Sequence, residues 1–249
     1  MAYNPFTLSG KKILVTGASS GIGRAIAIEC SKMGSLMIIT GRDHVRLNET
    51  LGSLEGAGHK MILADFKDEH CIDIILNDLS ELDGVVHSAG ITRVLPFKFM
   101  REVDLNEVMR VNFIIPSLLS SALIKARRIK PGASILFISS ISGILCTSTG
   151  GSIYSASKGA LNGIVKGMAL ELASSRIRVN SICPGVIETN IFVESSLTSE
   201  QLSEDINKYP LKRHGRPEEV AYAAIYLLSD ASEWITGTNL VIDGGYTLL

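Results

Sequence analysis

Short apolar runs recur from one end of the chain to the other, and each is followed by a stretch whose apolar positions repeat at helical spacing. The runs at 13–16, 36–40, 61–64, 84–87, 134–139, 177–182 and 239–242 predict strands. Between them the pattern predicts helices from about Ile22, over 44–54, 69–82, 105–126, 152–173 and 217–228. Pro116 should kink the fourth of these, and Pro217 suits a first helical turn. Strands alternating with helices imply right-handed crossovers. The expected architecture is therefore a doubly wound α/β fold, a mostly parallel sheet of seven strands with helices on both faces. No linker, repeat or low-complexity segment divides residues 1–249, which read as one domain. The exception to the rhythm is the polar, serine-rich connection at 186–216, with an amphipathic patch around Ile206. A connection of that length in a compact domain suits a lid over a substrate site.

In such a sheet a ligand lies outside the carboxyl ends of the strands, so chemistry is expected at Thr16-Gly17, Gly41-Arg42, Asp65, Ala89-Gly90, Ser139-Ser140 and Pro184-Gly185. The first of these opens Gly17-Ala-Ser-Ser-Gly21-Ile-Gly23, a glycine turn between a strand and a helix. Glycine permits a tight turn and close approach of a pyrophosphate, and the helix beginning near Ile22 turns unpaired N–H groups toward it. Gly17-Ala-Ser19-Ser-Gly21 also satisfies G-x-S-x-G, the nucleophile elbow of α/β-hydrolases. That elbow needs strands before it to carry an oxyanion loop, and only one precedes Ser19.

Composition narrows the picture without redirecting it. Charged residues at 20% and hydrophobic residues at 46% describe a globular protein with ample core. A net charge of -1 gives no electrostatic reason to expect nucleic acid or an anionic membrane as partner. The amino terminus lacks the basic and apolar regions of a signal peptide, and the run 221–228 is too short to span a bilayer. Cys30, Cys71, Cys146 and Cys183 stand apart, with no metal-ligand spacing. They read as free thiols in a reducing cytoplasm, with no metal site.

The chemistry centres on Tyr154-Ser-Ala-Ser-Lys158, which sets a phenol and an ammonium one helical turn apart. A nearby cation should favour phenolate and lower the tyrosine pKa, fitting it to protonate a carbonyl oxygen as a hydride reaches the carbon. The pair opens the helix after the fifth strand, which ends at Ser140, a hydroxyl able to bond the same oxygen. Asn112 in the preceding helix reads, by itself, as a polar residue packing one helix on another.

The motifs Thr16-Gly-Ala-Ser-Ser-Gly-Ile-Gly23, Asp65, Ser88-Ala-Gly90, Val111-Asn112, Ile138-Ser-Ser140, Tyr154-x-x-x-Lys158, Pro184-Gly-Val-Ile-Glu-Thr189 and Ile242-Asp-Gly-Gly245 occur in a familiar order. On them the chain resembles the short-chain dehydrogenase/reductase family in its Rossmann-like, single-domain branch, over about residues 9–247. Its overall pattern most resembles the 3-oxoacyl-[acyl-carrier-protein] reductases. The resemblance implies a catalytic set of Asn112, Ser140, Tyr154 and Lys158. Tyr154 would be the general acid/base, with Lys158 lowering its pKa and bonding the nicotinamide ribose. Ser140 would orient the carbonyl, and Asn112 would hold a water in a proton relay. It also implies cofactor binding by Gly17, Ser19, Ser20, Gly21, Ile22 and Gly23, by Asp65 at the adenine with Phe66 beside it, by Ala89 and Gly90, and by Tyr154 together with Lys158. Pro184, Gly185, Ile187 and Thr189 would serve the carboxamide end. Asp65 could equally cap the next helix.

Two departures stand out. The family usually carries Asn-Asn-Ala-Gly where this chain has His87-Ser-Ala-Gly, and His87 reads as a packed core residue. Fourteen residues separate Ser140 from Tyr154, one more than is common, so 146–151 should bulge over the substrate side. The family's acidic residue after the second strand, which bonds a ribose 2′-OH, falls on Gly41. Arg42 follows, placed to pair with a 2′-phosphate, while Asp43 reads as the start of the next helix. NADP(H) is thus favoured over NAD(H), although Ser20 stands where many NADP-preferring relatives carry a basic residue. The implied function is NADPH-dependent reduction of a carbonyl, such as a 3-oxoacyl thioester on a carrier protein that Arg127, Arg128 and Arg176 could dock. Alternatives are an enzyme of sugars, sterols or other small alcohols, or a cofactor-binding protein without turnover. Family members usually form homotetramers through the helices at 105–126 and 152–173 and the last strand. Gly159, Ala160, Gly163 and Gly167 would suit such an interface or close packing on the sheet.

Overall fold

A computed structural model describes residues 3–189 and 204–249; of the expected lid at 186–216, residues 190–203 lie outside the described residues. Among the described residues seven strands form one sheet: β1 (Lys12–Thr16), β2 (Leu36–Gly41), β3 (Lys60–Leu63), β4 (Leu82–His87), β5 (Ile129–Ile138), β6 (Arg178–Pro184) and β7 (Asn239–Ile242). Their order across the sheet is β3-β2-β1-β4-β5-β6-β7, and every pairing is parallel. The order reverses between β1 and β4. A doubly wound sheet opens a crevice at that point, outside the carboxyl ends of those two strands.

The strands bury both faces, as parallel strands must. Alternate residues go to opposite sides. Ile13 and Val15 join Ile26, Met37, Ile39, Val86, Leu136, Val220 and Leu227 under α1 (Gly21–Lys32), α2 (His44–Gly52) and α7 (Pro217–Leu228). Leu14 joins Val85, Phe137 and Val179 on the other face, under α3 (Cys71–Asn77), α5 (Ile115–Lys125) and α6 (Ser152–Leu172).

Boundaries moved in three places. The helix expected over 69–82 is only α3, because Leu82 opens β4: its N–H donates to the Arg128 carbonyl at 2.8 Å, and it pairs with Ile129. β5 begins at Ile129, five residues early, reaching Ser134 through a register shift that accommodates Pro131-Gly132. The helix expected over 105–126 is broken into α4 (Glu102–Met109), a π-helical segment at Arg110–Ile114, and α5. In an α-helix the Asn112 carbonyl would accept from residue 116, and Pro116 has no N–H to give. The wider turn one step before the proline is the local answer. Taken together, residues 102–125 are apolar and long enough to cross a membrane. Core packing accounts for that, since Val108, Val111, Ile115, Leu119 and Leu123 are buried.

Candidate active site

The crevice begins at Thr16. Its hydroxyl accepts from the N–H groups of Ser88 at 3.2 Å and Ala89 at 3.3 Å, tying the loop after β4 to the end of β1. Gly17 follows at φ +68°, where a Cβ would stand 2.6 Å from the Ala89 Cα; a Cβ on Gly23 would stand 2.3 Å from the Gly17 carbonyl oxygen. No side chain fits at either position, so the crossing of the two loops requires glycine. Ser20, at the cap of α1, is extended and its side chain makes no capping bond. The first-turn N–H groups at Gly21, Ile22 and Gly23 therefore keep their donor capacity and the positive end of the helix dipole for an anion. That is the donor set a dinucleotide pyrophosphate requires.

At the end of β2, where the sequence places the adenosine end of a cofactor, the charged groups are distributed as follows. Asp43 caps α2, its carboxylate accepting from the Arg46 N–H at 3.1 Å, and is thereby committed to the helix. Arg42 is exposed and, among the described residues, makes no ion pair. A Cβ at Gly41 would come 3.0 Å from the Ser19 hydroxyl, so an acidic side chain there would have to displace it. Asp65 is not a helix cap. α3 starts six residues later behind His70, and the Asp65 carboxylate accepts instead from the Lys67 N–H at 3.0 Å in a local turn. Phe66 is buried in the core beside it.

The residues expected to be catalytic come together where β5 meets α6. The Lys158 side chain is buried, its Nζ donating to the Ile138 carbonyl at 2.8 Å, and Ser139 Oγ donates to the Lys158 carbonyl at 3.0 Å. Burial lowers the Lys158 pKa to about 8. The Tyr154 phenol faces Ser140. Burial pushes its pKa above the ordinary tyrosine value, and the hydrogen bond with the Ser140 hydroxyl pulls it only part of the way back. This corrects the expectation that Lys158 lowers the phenol pKa. The ammonium stands over the ring, 5.6 Å from its centroid, and spends a donor on Ile138, so in the protein by itself burial dominates. The Asn112 side chain is fully engaged. Oδ1 accepts from the Ile91 N–H at 2.8 Å, while Nδ2 donates to the Ile91 carbonyl and to Ser157 Oγ, both at 2.9 Å. It joins the loop after β4 to α6.

A family model described as Enoyl-(Acyl carrier protein) reductase matches residues 17–247. The 3-oxoacyl-[acyl-carrier-protein] reductase FabG of Rickettsia prowazekii is 34% identical over 242 residues, 97% of this chain and 99% of that protein. The chain belongs to the short-chain dehydrogenase/reductase family. The oxidoreductase UcpA of Salmonella typhimurium is 33% identical, over 97% of this chain and 96% of its own length. Among solved structures, an Agrobacterium tumefaciens protein with bound NADP, provisionally assigned as a 2-deoxy-d-gluconate 3-dehydrogenase, superposes with a TM-score of 0.88 at 30% identity. That match covers 99% of this chain and 100% of the other. The protein is thus an NAD(P)-dependent dehydrogenase/reductase with the family's fold.

Against the usual pattern of short-chain dehydrogenase/reductases, His87 proves to be core. It is 2% exposed, stacks on Phe137 at 4.7 Å, and places Nε2 2.8 Å from Ser120 Oγ. Ser120 donates its own proton to the Pro116 carbonyl, so Nε2 carries the ring hydrogen and Nδ1 is left without a partner. Burial lowers the His87 pKa to about 3, keeping it neutral. The insertion before Tyr154 packs on the first turns of α6, with Gly143 N–H donating to the Cys146 carbonyl at 3.0 Å. Its far end meets the loop after β4, where the Leu95 N–H donates to Gly150 at 3.0 Å.

The residues expected at the carboxamide end also gather here. Gly185 N–H donates to Ile242 at 2.9 Å, Ile187 bridges Gly215, and the Thr189 methyl would meet a Cβ on Gly21 at 3.2 Å. The 186–189 segment is held further by Tyr209, whose hydroxyl accepts from the Val186 N–H at 3.3 Å. The sequence placed Thr16 at the end of a strand but not its bonds to the loop after β4, and it singled out neither Ser157, seen only as the residue before Lys158, nor Tyr209. Arg127, Arg128 and Arg176 follow the carboxyl ends of α5 and α6 and precede β5 and β6, at the amino ends of the strands, whereas Tyr154 lies beyond their carboxyl ends. Within one chain they give carrier docking at the site no support.

Proposed function

We propose that this enzyme reduces a carbonyl to a secondary alcohol with NADPH, and that its substrate is a 3-oxoacyl thioester. The observation that carries the reaction is the convergence of the Tyr154 phenol, the Ser140 hydroxyl and the buried Lys158 ammonium beyond the ends of β4 and β5. Bound NADPH supplies the hydride. Ser140 orients the carbonyl oxygen and Tyr154 protonates it. The raised phenol pKa keeps that proton in place at neutral pH. Lys158 supplies the positive charge that offsets the phenolate left behind, and Asn112 holds a water for its reprotonation. The choice of NADPH rests on Arg42, on Gly41 packed against Ser19, and on Asp43 being used by α2; the NADP-bound relative agrees with it.

The thioester reading rests on the likeness to the 3-oxoacyl-[acyl-carrier-protein] reductases. A sugar or small-alcohol substrate is the second reading, favoured by the likeness to the assigned 2-deoxy-d-gluconate 3-dehydrogenase. We assign the enzyme to a reducing cytoplasm, since all four cysteines are free, and to a homotetramer. Gly163 and Gly167 have open space around them, so they face away from the sheet and suit an interface, while Gly159 packs on Gly143. Ile114, Leu118, Leu170 and Val241 add exposed apolar surface on the π-helical segment, α5, α6 and β7.

The test is the initial rate of NADPH oxidation with an acetoacetyl thioester, against a panel of keto-sugars and small ketones, with NADH in parallel. The reading expects the thioester to win, NADPH to be preferred, and Arg42→Ala to narrow that preference by about tenfold or more. A winning sugar substrate would overturn the thioester assignment. Equal use of NADH by the unaltered enzyme would overturn the role of Arg42.

A further inference from the structure

The π-helical segment at Arg110–Ile114 carries a second contact besides that of Asn112. The Arg110 guanidinium reaches the turn after β3, where Nε donates to the Phe66 carbonyl and Nη2 to the Asp68 carbonyl, each at 3.0 Å. One turn earlier on the same helical run, Glu107 pairs with Lys67 at 2.5 Å. The other bonds of that turn are short-range. Asp65 Oδ1 accepts from Lys67 N–H at 3.0 Å, the Asp65 carbonyl from Asp68 N–H at 2.9 Å, and Asp68 Oδ1 from His70 N–H at 2.8 Å. Such bonds shape a turn but do not fix where it sits. Phe66 in the core and the Ala64 N–H on the Gly41 carbonyl at 3.0 Å seat its start, and Arg110, 44 residues from Phe66 in the chain, ties its far side to the helix along with Lys67 on Glu107.

We propose that Arg110 is a positioning residue for the adenine end of the cofactor site. It holds the Asp65-Phe66 turn at a set distance from the helix whose Asn112 holds the loop after β4. One five-residue segment then sets both ends of the dinucleotide site. The inference rests on the cofactor reading given above. The planar guanidinium fork spans two carbonyls, whereas a lysine ammonium at the same place reaches one. Because Arg110 acts through the turn, its loss should weaken every adenine-containing ligand alike, whatever the ribose carries. In this it differs from Arg42, which should matter only when a 2′-phosphate is present. It also differs from a merely structural arginine, whose loss would weaken every ligand of the site, with or without adenine.

The test compares the purified enzyme with Arg110→Ala and Arg110→Lys. NADPH and NADH binding is followed by their fluorescence, 2′-phospho-ADP-ribose by calorimetry, and reduced nicotinamide mononucleotide by its fluorescence. Arg110→Ala should weaken the three adenine-containing ligands by a common factor, about five- to tenfold, as expected for losing two charge-assisted bonds that order a binding turn. Affinity for the mononucleotide should not change, and kcat at saturating NADPH should stay within about twofold. Arg110→Lys should recover part of the loss, and it carries the same comparison if the alanine variant does not fold. Unchanged NADPH affinity in a folded variant, or an equal loss for the mononucleotide, overturns the proposal. An unaltered enzyme that binds none of the adenine-containing ligands would instead overturn the cofactor reading.

Discussion

Lys158 and His87 are both buried, and burial has moved both pKa values in the direction that favours the neutral form. For Lys158 the consequence is catalytic. Its ammonium is present below about pH 8 and is lost as pH rises through that value, so the reductive rate should fall along a limb centred near pH 8. A pH–rate profile checks this, and a rate still level at pH 9.5 would show that the lysine charge is not required. For His87 the consequence is stability. Its folded pKa, about 3, lies below the unfolded value of 6.5, so the unfolded chain binds the extra proton first as pH falls. Stability linked to His87 is whole above about pH 6.5 and is lost progressively down to about pH 3. At pH 4.5 the loss should be about 3 kcal/mol, from roughly 1.4 kcal/mol per pH unit. Urea unfolding at pH 7 and pH 4.5 should therefore show a larger drop for the native protein than for His87→Asn. Carboxylates such as Glu219 contribute the same acid limb to both and cancel in the comparison.

Between elements, the register of the catalytic cluster depends on how the turn after β5 seats on α6. Gly143 sits in that turn at φ +97°, where a Cβ would stand 2.2 Å from the Ser155 carbonyl. Gly143→Ala should destabilise the enzyme by at least about 2 kcal/mol and reduce the rate further by moving Ser140 away from Tyr154. Thermal unfolding and initial rates on the same preparation check both effects, and an unchanged melting temperature with full activity would refute the seating. Most elements were readable from the sequence because apolar runs and their breakers coincide. Pro217 does open α7, and Asp43 does cap α2 as its position suggested. Leu82 was misassigned because one apolar residue after a polar turn continues a helical period as well as it starts a strand; only its pairing with Ile129 decides. Pro116 announced a break in the long helix but not that the break would be a π turn holding Asn112 and Arg110. That depends on where the loops after β3 and β4 lie, which local sequence does not encode.

At the scale of the molecule, alternation of strands and helices suffices to imply a parallel, doubly wound sheet, and the glycine turn marks its switch point. The place of the candidate site was legible where its residues end strands or open helices, as at Gly17, Ser140 and Tyr154, but not at Asn112, which lies within the π-helical segment. The roles of Tyr154 and Lys158 were less so, since burial, not their spacing, sets the direction of both pKa values. The clearest test of the account is Tyr154→Phe, measured for NADPH binding and for NADPH-dependent carbonyl reduction on the best substrate of the panel. The account predicts NADPH affinity within about twofold of the unaltered enzyme and a rate lowered by at least about a hundredfold, the usual contribution of a positioned general acid. A phenylalanine variant that binds NADPH and turns over at the original rate would contradict it.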